Sequence, residues 1–318
     1  MQQSQIQYQP YPNSVPDNEI DLIELFSALW SGKWIIIAIT AIFAIGSAIY
    51  AIEKPNIYKA DALVAPAESS GGGGLSKMAG QLGGLAALAG VNIGGTNTSQ
   101  ADLAIEVLKS RQFIDSFIKE HDLLVPLMAT KGWNEARNEL IIDEDIYDAE
   151  SKNWLRKSNG VQGTKPSSQE AYQVFSKDIL NIIQNKDSGL YTFSVKHYSP
   201  YIAQQWVTWL IQDINKTMRE RTISDTTQNL MYLNAQLQKT AVADMKATFY
   251  TLIEEQTKSL MLAEVQDEFT FKVIDPAVVP EVKYEPKRFM ICILGAAIGF
   301  ILVVMFVLLR FLLLSQRR

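Results

Sequence analysis

The residues able to do chemistry are few and scattered. The 318-residue chain has one cysteine, Cys292, and two histidines, His121 and His197. A single thiol excludes an intrachain disulfide and a cysteine-rich metal site. Neither histidine has a recognisable acid–base or ligand partner along the sequence. Glycoside chemistry needs two carboxyl groups at a fixed separation, and Glu254, Glu255 and Asp267 are candidates. They fall within a long helical pattern, where acids form the solvated face. Asp143 to Glu150 holds five acids in eight residues but lacks the glycine and alternating ligands of a calcium loop. Residues 71–95 contain ten of the 18 glycines. A phosphate-cradling loop ends in Gly-Lys followed by Ser or Thr, and that ending is missing. The residues thus give no catalytic, metal or cofactor site. A net charge of -5 with no basic block also excludes nucleic acid as the main partner.

What the chain does carry is apolar length. Trp34 to Ile52 and Phe289 to Leu309 are 19 and 21 residues without a charge. As helices they would be about 28 and 32 Å long, matching a hydrocarbon core of about 30 Å. Both read as transmembrane helices. The first follows a 33-residue segment with four acids and one cation, Lys33; a secretory signal begins with a short positive region, so this span reads as an uncleaved anchor. Segments follow as 1–33 (tail), 34–52 (span), 53–288 (soluble insert), 289–309 (span) and 310–318 (tail). Charge does not orient them, because the positive-inside rule concerns short loops and the insert is long.

The insert reads as α+β. Residues 58–64, 179–183, 191–195 and 269–274 alternate as strands, the middle two around a turn at Asp187-Ser188-Gly189. Leu103, Val107, Ile114 and Phe117 recur at helical spacing to about Glu120. The glycine-rich segment reads as a mobile loop with a small apolar face, suited to order against a neighbouring subunit. Tyr201 to Asp275 is 75 residues with neither Gly nor Pro. Its apolar stripe, including Leu230, Leu233, Leu237, Met245, Phe249 and Leu252, predicts a very long helix over about 201–267. If continuous it reaches on the order of 100 Å, with Thr222 to Thr227 the weak patch. Such a stripe outruns a small domain and predicts partner helices from other copies. Pro276, Pro280 and Pro286 then fix a stiff connector into the second span. That span opens with Gly295 and Gly299, a spacing that lets helices approach closely.

Several of these stretches are similar to a known family. The chain reads IDLIELFSALWSGKW before the first span and YKADALVAP after it, then YLNAQL, LIEEQTKSLMLAEVQDEFTFKVIDPAVVPE and PKR before the second. This resembles the polysaccharide co-polymerases, the chain-length determinants of O-antigen and related bacterial surface glycans. The proline-rich segment is the most specific motif; residues 125–170 carry no resemblance. The resemblance implies an inner-membrane protein with both tails cytoplasmic and a large periplasmic α/β domain. It also implies assembly into a homo-oligomeric ring, with a membrane-embedded glycan polymerase and the growing lipid-linked polysaccharide as partners. Some members carry a tyrosine kinase domain; no Walker motif or tyrosine-rich tail precedes Arg318, so that activity is not expected. The function expected is non-enzymatic control of glycan chain length, with Pro276, Pro280 and Pro286 coupling the domain to the membrane. The alternative is an inner-membrane component of capsule or exopolysaccharide export.

Overall fold

A computed structural model describes residues 29–67, 100–158, 160 and 163–315. The N-terminal tail, the acid–apolar stretch at 19–26 and the glycine-rich segment 71–95 lie outside the described residues. In chain order the elements are α1 (Lys33–Glu53), β1 (Tyr58–Pro66), α2 (Gln100–Lys109), α3 (Arg111–Glu120), α4 (Leu124–Met128), β2 (Thr130–Asn134) and β3 (Glu139–Ile142). There follow β4 (Tyr147–Asp148), β5 (Asn153–Trp154), α5 (Ser168–Val174), a π-helical turn (Phe175–Ile179), β6 (Leu180–Gln184), β7 (Tyr191–His197), α6 (Pro200–Lys239), α7 (Ala243–Val265), β8 (Phe271–Asp275) and α8 (Arg288–Ser315). They fall into two units, Met1–Lys54 with Lys287–Arg318, and Pro55–Pro286.

In the first unit α1 and α8 are long and apolar enough to cross a membrane. They pack on each other and expose apolar side chains outward, Trp34 and Phe289 among them. In lipid a helix pairs its own backbone groups except in its first and last turns.

The second unit is built on a four-stranded antiparallel sheet in the order β6-β7-β1-β8. Period-two alternation puts Ala60, Ala62 and Val64 of β1 opposite Val195, Phe193 and Tyr191 of β7 on one buried face. The first half of α6 covers that face with Ala203, Trp206, Val207, Leu210 and Ile214, and α2, α3 and the π-helical turn complete the core around Phe117 and Phe175. Pro200 starts α6 at a position that has no use for an N–H, and Ser199 caps it by accepting from Ile202 N–H. The helical pattern expected from Leu103 to Glu120 is two helices, because Ser110 interrupts it and caps α3 by accepting from Phe113 N–H at 3.2 Å.

The structure corrects the long-helix expectation. The chain breaks at Thr240 and Val242, both extended, and α7 returns along α6. Arg219 of α6 meets Asp267 just beyond α7 at 3.0 Å, which closes the hairpin at its base. Thr222 to Thr227, the expected weak patch, stays helical. Asn215 then locks the returning strand: Oδ1 accepts from Thr270 and Phe271 N–H, and Nδ2 donates to Phe271 O, all at 2.8 Å. The apolar stripe therefore has a partner in its own chain. Leu230, Leu233, Leu237, Phe249 and Leu252 are half-buried between the two arms, while Met245 is exposed.

Candidate coupling site

The segments of chain that lead from the first span and toward the second meet on the sheet. Ile57 and Glu285 form an antiparallel bridge, with Ile57 N–H to Glu285 O at 2.9 Å and Tyr284 N–H to Ile57 O at 2.8 Å. Side chains reinforce it. Lys196, which faces Lys59 across the β1–β7 register, donates to Glu285 Oε1 at 2.7 Å. The Tyr284 ring meets two ammonium groups, its centroid 5.0 Å from both Lys59 Nζ and Lys196 Nζ. Lys59 also pairs with Asp61 at 3.1 Å. Two cations over one ring are held apart by their carboxylates, so each keeps a cation–π contact. Alternation places Lys59, Asp61 and Lys196 on the sheet face opposite the core. Further back, Gln204 Nε2 donates to Ala277 O at 3.2 Å.

Of the three connector prolines, Pro276 lines a cleft with Ala277, Thr208 and Asn215, and Pro286 directly follows the bridge. The structure does not gather Pro276, Pro280 and Pro286 into one place; they punctuate a connector fastened at Ala277 and again at Tyr284 and Glu285. The fastening residues carried no motif in the sequence. Their one signal was the alternating charge of Lys283-Tyr284-Glu285, which becomes informative only when β1 and β7 supply two lysines opposite it.

In the first unit, Gly295 and Gly299 face α1. A Cβ at Gly299 would lie 2.6 Å from Phe43 Cβ, and one at Gly295 would fall on the Ser47 side chain. Arg288 Nε donates to Ala51 O at 3.1 Å, satisfying a carbonyl left free at the end of α1. The two helices are thus matched by close backbone approach at one level and by a charged hydrogen bond at another.

Of the remaining candidates, several acids have structural roles, whereas Glu255 Oε2 is buried without a hydrogen-bond partner. In the acidic run, Asp143 and Asp148 accept backbone N–H groups two residues on and shape turns. Asp267 takes Arg219. Both histidines do have partners, out of reach of sequence reasoning: His121 meets Asp213 across 92 residues, and His197 meets Pro126 O across 71.

Comparison with known proteins places part of the chain. Residues 18–121 match the family described as Wzz, chain length determinant protein. The tyrosine-protein kinase etk of Escherichia coli K12 is 29% identical over 112 residues, which is 35% of this chain and 14% of the kinase. The etk kinases of the O127:H6 and O157:H7 strains match with the same figures. The chain therefore spans only a small part of these relatives. Among solved structures, a full-length bacterial polysaccharide co-polymerase is 16% identical, covering 93% of this chain and 99% of that one with a TM-score of 0.37. A fragment of WzzB, a polysaccharide co-polymerase from Salmonella Typhimurium, is 10% identical and covers 72% and 100%, with a TM-score of 0.30. The family match contains α1, β1, α2 and α3, including Ile57 and Lys59; Tyr284 and Glu285 lie outside it.

Proposed function

We propose that this protein is a non-enzymatic regulator that sets the chain length of O-antigen or a related surface polysaccharide during polymerase-dependent assembly. The observation that carries the reading is the family match over residues 18–121, a stretch that holds the first span and its junction with the sheet. In this reading α1 and α8 cross a bacterial inner membrane, residues 53–288 lie in the periplasm and both tails are cytoplasmic. Copies assemble into a ring through the α6–α7 hairpin. The membrane-embedded polymerase is the partner at the spans, and the growing lipid-linked glycan is the polymer whose length is set. The connector with Pro276, Pro280 and Pro286, fastened through Tyr284 and Glu285, passes the state of the ring to the spans, and Gly295 and Gly299 keep those spans paired.

A surface-glycan ladder on a gel tests it, comparing the native strain, a clean deletion and the complemented deletion. The expected result is a clustered length distribution that decays to mostly short chains on deletion and returns on complementation. A distribution that keeps its cluster while surface glycan disappears would replace this reading with an export component.

A further inference from the structure

Among the described residues, the one group of side chains with a metal ligand set lies well away from the connector in sequence. Glu120 ends α3, His121 caps it, and Asp213 comes from α6; one ligand atom from each lies within 4.8 Å of the others. We propose that Glu120, His121 and Asp213 bind a divalent first-row transition ion of the zinc type, joining α3 to α6.

Three features support this beyond the donor set. First, the imidazole is already aimed. His121 stacks on Trp209 with centroids 4.1 Å apart and planes 9° apart, and Phe117 meets it edge-on at 5.0 Å. A ring held this way offers Nε2 in one direction, as metal-binding imidazoles held by outer-shell contacts do. Second, the spacing suits the ion. Zinc bonds of about 2.0–2.2 Å put neighbouring ligand atoms about 3.2–3.6 Å apart. Nε2 and Asp213 Oδ2 are hydrogen-bonded at 2.8 Å, so they need part by only about 0.4–0.8 Å to admit the ion, and the exposed Glu120 side chain completes the set. Third, there is room and field. A cleft of about 160 Å³ opens beside Glu120 and Asp213, lined also by Glu220 and Lys216. Three carboxylates there face one ammonium group, and waters can complete the coordination.

The nitrogen ligand selects the ion class. Calcium and magnesium take oxygen shells, whereas imidazole with carboxylates suits zinc and its neighbours. With the ion bound, Nε2 and Oδ2 both turn their lone pairs to it and the neutral ring carries its one hydrogen on Nδ1, any proton displaced from the pair passing to solvent. The consequence is a cross-link between two helices of the core, independent of glycan chemistry.

The test uses the full chain in mild detergent, stripped with a chelator. Zn²⁺ is titrated by calorimetry and Co²⁺ is followed by visible absorption. The expected result is one ion per chain, with ligand-field bands appearing as Co²⁺ enters. H121Q and D213N should lose the bands. Glu120 is exposed, so E120Q keeps the fold, checked by circular dichroism, and should bind at least about tenfold more weakly. Absence of Co²⁺ bands in the unchanged chain overturns the proposal, as does an affinity that H121Q and D213N leave intact. An E120Q chain that binds as tightly as the unchanged protein overturns the three-ligand site.

Discussion

At the end of β7, His197 is 3% exposed; its Nε2 donates to Pro126 O at 3.3 Å and its Nδ1 accepts from Ser199 N–H at 3.0 Å. Burial is the main cause that pushes its pKa down to about 4, against the partial support of those two backbone contacts. The fold therefore holds the neutral ring. An unfolded chain takes up a proton near the usual 6.5, so this residue's contribution is complete above that pH and is lost as pH falls toward about 4. Glu170 acts lower. The two-pronged Arg156 guanidinium, at 2.8 and 2.7 Å, and the Ser167 N–H hold its carboxyl at about 2, so its contribution is present above 4.5 and fades toward 2. Denaturation midpoints measured from pH 7 to 4.5 should fall mainly through His197; H197Q should flatten that slope and E170Q should leave it. Tyr284 belongs to the same scale but reads out differently. It is 41% exposed, and an exposed cation–π contact contributes about 0.5–1 kcal/mol. Tyr284→Ala should therefore change stability little while it loosens the fastening of the connector. The expected outcome is normal membrane levels with a spread or shifted glycan ladder; an unchanged ladder at normal levels would remove Tyr284 from the coupling path.

Among the elements, the two apolar helices test the packing argument cleanly because one chain holds both a tight and an open glycine. Between lipid-facing helices close contact supplies much of the attraction, since lipid tails are as apolar as leucine. At Gly299 a Cβ would press on Phe43, while at Gly46 it meets nothing within 4 Å. G299L should force α8 away from α1, at a cost of about 1–3 kcal/mol, seen as a lower midpoint in denaturing detergent. G46L should keep the midpoint. Equal midpoints would mean that the glycines are incidental to pairing. These helices were legible in the sequence because length and lack of charge suffice to define them. The four strands of the main sheet were legible too, β1, β6, β7 and β8, whereas the short β2 to β5 were not. The hairpin was not. Chain reversal at Thr240-Ala241-Val242 uses neither glycine nor proline, and an amphipathic stripe reads the same whether its partner is another copy or the returning arm. Asn215 explains why return wins: it gives the backbone at Thr270 and Phe271 three hydrogen bonds only if β8 comes back to α6.

Over the whole molecule, that reversal changes where an interface between copies would lie. The arms half-bury Leu230, Leu233 and Leu237 against their own chain, so the stripe expected to bind other copies is partly covered. The outward apolar side chains of the hairpin are Met245 of that stripe together with Met231, Tyr232, Tyr250 and Met261, each at least 50% exposed. Burying a large apolar side chain fully is worth about 1.5–3 kcal/mol, and a ring repeats the contact at every junction. A charge at such a junction costs more than the contact it replaces, because it enters the interface unpaired. Tyr232→Glu combined with Tyr250→Glu should therefore reduce the mass of the detergent-solubilised complex while the secondary structure stays intact, since neither side chain belongs to the core. If ring assembly sets polymer length, the same variant should turn the clustered ladder into a decaying one at normal protein levels. A complex of unchanged mass would place the interface elsewhere. A smaller complex with an unchanged cluster would separate length control from assembly.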